Sequence, residues 1–349
     1  MNKKLFITLF VAILSLAVVS CSEDDDDFPD NDIIIDNSTN GVPGRSFKVL
    51  CFGNSFTEDA MGYVPMILNS LAPDVDVTIG VAYIGGCSLQ QHLANFRGEN
   101  VTDEGKVYKP QRYIYHKSVN GSRWSSYRTK DAYAILDDMD WDVVTFQQNG
   151  SQAHREWSQV IWPHLSELVK IVEDRKNGVT FGWILIHGAY GASDAGFEMY
   201  WRGAADNALK TAETIDCVVF PYGTAVQNLR LTQAKELGDG SAHNLTVDNG
   251  HLQEGIGCYC AALTNAITIL HLAGVDDVDI MEDNTVIDAA SIYSMNVPGQ
   301  HFGSGVIGMT PENIYAAKQA ALAAISDPYN LTFPTSASIT VPTALTSTQ

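Results

Sequence analysis

The sequence predicts an α/β domain built on a mainly parallel sheet with helices on both faces. Three observations carry this expectation. Short apolar runs alternate with segments whose apolar residues recur at helical spacing. The runs are apolar along their length, as in strands covered on both sides. Turn-forming pairs follow three of them, namely Asn54-Ser55, Gly86-Cys87 and Gln148-Asn149.

The first strand is read at residues 46–53 (SFKVLCFG), ending in Gly-Asn-Ser. Val64, Ile67, Leu68 and Leu71 then mark a helix, and residues 75–84 (VDVTIGVAYI) form a second strand before Gly85-Gly86. Residues 98–130 are polar, aromatic and aperiodic, and read as an insertion on the rim. Residues 141–147 (WDVVTFQ) are the third strand, followed by one helix carrying Trp157, Ile161, Leu165, Leu168 and Val172. A fourth strand spans 179–187. A helix containing Ala204, Ala208 and Ala212 leads to a short fifth strand at 217–221. Ile256, Tyr259, Leu263, Ile267 and Leu270 belong to the next helix, and 275–310 is a second irregular stretch. A last helix opens with Thr310 as cap and Pro311 at its first position. The folded domain is expected to span 46–330, with a tail at 331–349, and no internal repeat is present.

Composition narrows the function. Of 349 residues, 45% are hydrophobic and 18% charged, which excludes wholesale disorder. The 41 acidic residues against 21 basic ones give a charge of −20, which repels phosphate backbones and argues against a general nucleic-acid binder. The one long apolar run lies at the N-terminus, so the chain is not a polytopic membrane protein. Beyond Cys21 there are five cysteines, an odd number without C-x-x-C spacing, so no zinc or redox motif is supported. Cys51 and Cys217 are expected to act as small hydrophobes within strands. His92, His154, His164 and His187 lack metal-ligand spacing and read as structural or rim residues.

The N-terminus reads as an export signal at residues 1–20. Lys3 and Lys4 precede an apolar stretch at 5–19, and the run Leu-Ala-Val-Val-Ser ends at Cys21. This run resembles the lipobox of a bacterial lipoprotein, in which Cys21 is lipidated and membrane-anchored; the plainer alternative is an ordinary secretory signal. Residues 21–45 form an acidic flexible tether, with Ser-Glu-Asp-Asp-Asp-Asp at 22–27. The acidic block resembles a tag for surface display in some Gram-negative bacteria, and serves equally as a spacer. Removing residues 1–20 leaves 19 basic residues against 41 acidic ones, a charge of −22.

Four blocks carry candidate chemistry. Gly53-Asn54-Ser55 places a serine on a tight turn between strand and helix, although such turns are often simple caps. Asp248-x-x-His251, just before a helix read from Glu254, supplies a base and a group to orient it, which a serine hydroxyl needs to become a nucleophile, although an Asp and a His near a helix start are often a capping arrangement. Gly86 lets a backbone N–H face a ligand, and Gln148 or Asn149 offers a side-chain amide to a developing oxyanion.

In this order the blocks resemble those of the SGNH (GDSL-like) hydrolase superfamily, whose successive motifs give Ser, Gly, Asn and Asp-x-x-His. Ser55, Gly86, Asn149, Asp248 and His251 occupy those places, and GCSLQQHL at 86–93 resembles the second block. The resemblance spans roughly 47–272 and is strongest to a GNSFT-type branch found as exported bacterial lipoproteins. Asn54 replaces the family's aspartate, and Gln-Gln-Asn-Gly replaces Gly-x-Asn-Asp, so Gln148 and Asn149 both remain candidates.

The resemblance implies a three-layer, flavodoxin-like fold and a serine esterase acting on small acyl esters, acetyl above all, of surface or extracellular polysaccharides. Ser55 is the implied nucleophile, His251 the base and Asp248 its orienting partner. The N–H groups of Ser55 and Gly86, with Asn149 or Gln148, form the implied oxyanion hole, and no metal or organic cofactor is required. Tyr113, Tyr115, Trp124, Tyr127, Tyr190, Tyr200 and Trp201 are candidate sugar contacts. The expected partners are an acylated carbohydrate and, through the lipid on Cys21, an outer membrane. The alternative is a non-catalytic glycan-binding surface lipoprotein on the same scaffold.

Overall fold

The computed structural model describes residues 46–191, 193–231, 245–287 and 308–332. The expected leader, Cys21, the tether, residues 288–307 and the tail beyond 332 lie outside the described residues.

The chain starts with β1 (Ser46–Gly53), whose last five residues are buried. Asn54 then caps α1 (Ser55–Met61): its side-chain oxygen accepts the Phe56 N–H at 3.0 Å. After α2 (Val64–Leu71), β2 (Asp76–Tyr83) pairs parallel to β1 in full register. Ser88 caps α3 (Leu89–Arg97), which Gly98 ends in the left-handed conformation. A hairpin follows, β3 (Val101–Asp103) and β4 (Lys106–Tyr108), turning through Glu104 and Gly105 at positive φ. β5 (Tyr113–Ser118) and β6 (Ser125–Lys130) come next, then the short α4 (Ala132–Leu136).

β7 (Val143–Phe146) returns to the other side of β1, again parallel. α5 (Trp157–Val160) and α6 (Trp162–Glu173) lead to β8 (Thr180–Ile184), and α7 (Asp194–Ile215) leads to β9 (Val218–Phe220). α8 (Tyr222–Arg230), α9 (Ile256–Leu272) and α10 (Pro311–Ser326) are the remaining described α-helices, with a 3-10 turn at Ile280–Glu282 before the last. Thr310 caps α10, with Pro311 at its first position.

These strands form one seven-stranded sheet in the order β6-β5-β2-β1-β7-β8-β9. The five parallel strands run second, first, third, fourth, fifth across it, a flavodoxin-like order. The fold is thus the expected α/β arrangement with a mainly parallel sheet. α9 is buried around its whole circumference from Ile256 to Leu270 and packs against α1, α2, α8 and α10. α3 packs against α4 and α6. The chain moves from β1 outward to β2, then back across β1 to β7. The winding direction therefore changes between β1 and β7, and the crevice at their carboxyl ends is where such sheets hold ligands.

Four expectations are corrected. The stretch 98–130 is not an aperiodic insertion: β5 and β6 extend the main sheet in antiparallel fashion. Tyr113, Tyr115 and His116 are buried in β5, so the polar atoms of a pleated, half-aromatic strand masked its pattern. The single helix expected at 157–172 is broken at Ile161, because Pro163 lacks an N–H and its ring crowds the preceding turn. The helix expected from Glu254 begins at Ile256, after Gly255 with φ 126°. Cys217 lies just before β9 rather than within it, whereas Cys51 is buried inside β1.

Candidate active site

Ser55 leaves the carboxyl end of β1 as the first residue of α1. The turn beneath it is tied on three sides. Asn54 Oδ1 accepts from Phe56 N–H and from Gln147 Nε2 (2.7 Å), while its Nδ2 donates to the Cys87 carbonyl (3.0 Å). Asn54 thus joins the ends of β1, β2 and β7. Gln147 has no counterpart among the sequence candidates, since its partner is remote in the chain.

His251 arrives from a short loop before α9. Its Nε2 lies 2.7 Å from Ser55 Oγ, and its Nδ1 lies 2.7 Å from Asp248 Oδ2. Asp248 Oδ1 accepts the N–H groups of Gly250 (2.9 Å) and His251 (2.7 Å), closing a turn with Asn249 at φ 62°. Partial burial acts to raise the Asp248 pKa, but the hydrogen bonds from His251 and Gly250 outweigh it and hold the carboxyl below its ordinary value.

The loop is braced from outside. His187 Nε2–H donates to the Gly250 carbonyl at 2.7 Å, and burial lowers the His187 pKa to about 3, so its ring is neutral. Asp59, one turn after Ser55 on α1, accepts the Leu252 N–H at 2.8 Å. The Tyr190 N–H donates to the Asn249 carbonyl. Phe56 packs edge-on against the His251 ring and also against His187. Burial raises the Asp59 pKa well above the carboxylate range, Leu252 opposes this, and the charges of Glu58, Asp248 and Glu254 add to it.

Beside the Ser55–His251 pair lies a cavity of about 180 Å³. Its lining includes Gly86 and Asn149 together with Glu104, Tyr108, Ser151 and Tyr190. Gly86 has φ 64°, with open space where a side chain would project. Asn149 Oδ1 accepts from Gln152 N–H (3.1 Å) and Ser151 Oγ (3.1 Å), and its Nδ2 makes a long contact of 3.4 Å to the Gly86 carbonyl.

Gln148 is used elsewhere and does not line the cavity. Its Nε2 donates to the Val160 carbonyl (2.7 Å), and its Oε1 accepts from Leu89 N–H (3.2 Å) and Asn149 N–H (2.8 Å). The geometry therefore removes Gln148 from the oxyanion candidates and leaves Asn149.

The candidate sugar contacts also divide. Tyr113 and Trp201 are fully buried, and Tyr115 is buried with its hydroxyl on Asp138, so all three are packing residues. Trp124 donates its indole N–H to the Gly62 carbonyl, Tyr200 packs against His154, and exposed Tyr127 lies beside Tyr115. Of the seven, Tyr190 alone lines the cavity, joined by Tyr108, which the sequence did not single out. Among the described residues no group of three His, Cys, Asp or Glu side chains is arranged to hold a metal ion.

Fold and geometry together define an α/β protein with a Ser–His–Asp chain at the carboxyl edge of its sheet. The model for "Domain of unknown function (DUF4886)" matches residues 48–287, and the chain belongs to that family. The crystal structure of a DUF4886 family protein from Bacteroides uniformis is similar at 23% identity, covering 82% of this chain and 98% of that one with a TM-score of 0.63. A protein from Slackia heliotrinireducens provisionally assigned to the SGNH hydrolases matches at 17% identity over 63% and 97% of the two chains (TM-score 0.39). A catalytic mutant of Axe2, an acetylxylan esterase from Geobacillus stearothermophilus, matches at 13% identity over 66% and 95% (TM-score 0.39). Among curated proteins none matches the chain.

Proposed function

We propose that this protein is a serine hydrolase that cleaves small acyl esters, with acetylated polysaccharide as the substrate class. The observation that carries the reading is the continuous chain from Ser55 Oγ through the His251 ring to Asp248, with 2.7 Å at each link. These are distances at which a base can take a hydroxyl proton and be oriented while doing so.

In this mechanism Ser55 Oγ attacks the ester carbonyl as His251 Nε2 takes its proton. Asp248 accepts the Nδ1–H, which fixes the tautomer and stabilises the imidazolium. The N–H groups of Ser55 and Gly86 and the Asn149 amide receive the oxyanion. The tetrahedral intermediate collapses, and His251 returns the proton to the departing alcohol. Water, deprotonated by the same histidine, then releases the acid and restores Ser55.

The cavity favours a short acyl group. At about 180 Å³ it is smaller than the ~300–1,000 Å³ of sites for drug-sized ligands. Tyr108 and Tyr190 on its wall offer ring faces and hydroxyls of the kind that meet sugars. The test is acetate release from acetylated xylan and p-nitrophenyl acetate by wild type, Ser55→Ala, His251→Ala and Asp248→Asn. Loss of either Ser55 or His251 alone abolishes nearly all turnover, and Asp248→Asn retains more. Equal activity in Ser55→Ala and wild type overturns the mechanism. Absent turnover with retained glycan binding favours a binding protein instead.

We propose further that the chain is exported and anchored through a lipid on Cys21, on the strength of the lipobox-like run alone. Cys21→Ser then moves the protein from membrane to soluble fractions. An unchanged membrane fraction with no lipid on Cys21 by mass spectrometry refutes this.

A further inference from the structure

The hairpin β3–β4 ends its first strand with Asp103, whose side chain is almost wholly buried (5% exposed). A buried carboxylate is costly unless hydrogen bonds surround it. Here Ser88 Oγ–H donates to Oδ2 (2.5 Å), Gln91 Nε2 donates to the same oxygen (3.0 Å), and Gln152 Nε2 donates to Oδ1 (2.8 Å). Ser88 lies two residues beyond Gly86. Gln152 lies three residues beyond Asn149, and its N–H is held by the Asn149 side chain.

The two oxyanion loops face a geometric problem. Gly86 follows β2 and Asn149 follows β7, and β1 runs between those strands. At ~4.8 Å per strand the loops depart from points about 9–10 Å apart. Donors aimed at an oxyanion must be held to within roughly 0.5 Å. The direct tie between the loops, Asn149 Nδ2 to the Gly86 carbonyl, is a long 3.4 Å. Asp103 spans the gap with one oxygen for each loop. The tip of its hairpin is fastened to the Asn149 side as well: Arg155 Nη2 donates to Glu104 Oε1 at 2.7 Å, and Glu104 Oε2 lies 3.3 Å from Ser151 Oγ, sharing that hydroxyl with Asn149 Oδ1.

We infer that Asp103 is a positioning residue for hydrolysis: it sets the separation of the Gly86 and Asn149 loops and makes the β3–β4 hairpin a working part of the active site. The inference rests on the serine-hydrolase reading. It gives the hairpin two linked tasks, since the strands that align the oxyanion donors also carry Glu104 and Tyr108 into the cavity wall.

A double-mutant cycle on the full chain tests it, with p-nitrophenyl acetate as probe and Ser55→Ala as the control for the hydrolase reading. Asp103→Asn replaces an acceptor with an amide facing donors, and Gln152→Ala cuts the Asn149 arm alone. Each lowers kcat by about 10–100-fold with KM within about twofold, because misplacement by an ångström costs on that order. In an Asn149→Ala background Gln152→Ala costs less than about threefold, because there is no longer an amide to misplace, and Asp103→Asn costs less than in the wild type, because only its Gly86 arm still acts. Equal fold losses in both backgrounds overturn the inference. Hydrogen exchange supplies a readout independent of activity, and it decides whether Asp103 ties the two loops together. Asp103→Asn speeds exchange at 86–89 and 149–153 together while β1 stays protected. Acceleration confined to 101–108 overturns the inference without touching the hydrolase reading.

Discussion

Replacing the neighbouring amides Gln148 and Asn149, one at a time, should separate stability from catalysis. Gln148→Ala removes the partner of two buried N–H groups, those of Leu89 and Asn149, and of the half-buried Val160 carbonyl. Each buried group left unpaired costs about 1–3 kcal/mol. With water reaching one of the three, the loss is on the order of 3–5 kcal/mol. At roughly 2–4 °C per kcal/mol, the melting temperature falls by about 10 °C. Asn149→Ala removes two hydrogen bonds to Gln152 N–H and Ser151 Oγ within one turn, a loss of about 1–2 kcal/mol. Its larger effect is on turnover, about 10²–10³ in kcat, because the lost donor acts on charge that exists only in the transition state. The assay pairs thermal melts with p-nitrophenyl acetate turnover at 25 °C, well below both transitions. Gln148→Ala is expected to melt early and keep at least tenfold more kcat than Asn149→Ala. Full turnover in Asn149→Ala refutes the reasoning. So does a stable Gln148→Ala that has lost a hundredfold or more in turnover.

Three further outcomes follow from the same geometry. Asp59→Ala removes the acceptor of the Leu252 N–H beside the proposed base, so kcat falls about tenfold with KM nearly unchanged, while Asp59→Asn, which keeps an acceptor oxygen, retains most activity; kinetics on both variants check this. His92 is fully buried with its pKa lowered to about 3. The unfolded chain takes up this proton near pH 6.5 and the folded chain only near 3, so stability falls as pH drops through that window, by on the order of 1 kcal/mol per pH unit. His92→Phe flattens the slope of stability between pH 6.5 and 4 in urea titrations. Gly150→Ala places a Cβ 2.3 Å from the Phe56 ring, so the variant loses about 1–3 kcal/mol by urea titration and loses turnover as Phe56 shifts against His251.

Much of the fold was legible because its parallel strands are apolar on both faces. Residues 49–52, 77–83 and 143–146 are buried almost without exception, so composition alone exposed them. The antiparallel extension was hidden by tyrosines that are apolar in body and polar at the tip. Tyr113 buries its ring beside Phe52 while its hydroxyl lies 2.9 Å from His92 Nδ1, and Tyr115 donates its hydroxyl to Asp138. The break at Ile161 carried a visible signal in Trp162-Pro163, which the helical periodicity around it overrode. In the site, Ser55, Asp248 and His251 could be selected by block order although the proposed nucleophile and the proposed base lie 196 positions apart in the chain. Asp103 and Asp59 could not be selected, because their partners Ser88, Gln152 and Leu252 are set by the packing of loops rather than by spacing in the chain.

The three consecutive amides after β7 show why residue type alone underdetermines a role. Gln147, Gln148 and Asn149 offer the same chemistry, each with one acceptor oxygen and two N–H groups. Gln147 turns toward the end of β1 and donates to Asn54 Oδ1, so it holds the turn that carries Ser55. Gln148 lies between α3 and the end of α5, where two buried N–H groups and the half-buried Val160 carbonyl need partners, and it does not line the cavity beside Ser55. Asn149 is the first of the three to stand clear of those demands. Its oxygen is committed to Gln152 and Ser151, which fixes the orientation of the amide, and its nitrogen makes one long contact at the cavity wall. An oxyanion donor needs that combination: an acceptor end anchored firmly enough to aim the group, and a donor end that folding has not already satisfied. The order Gln-Gln-Asn thus gives each amide a different set of partners, and on the proposed reading it lets the chain depart from the Gly-x-Asn-Asp block it resembles and still present one amide to the cavity.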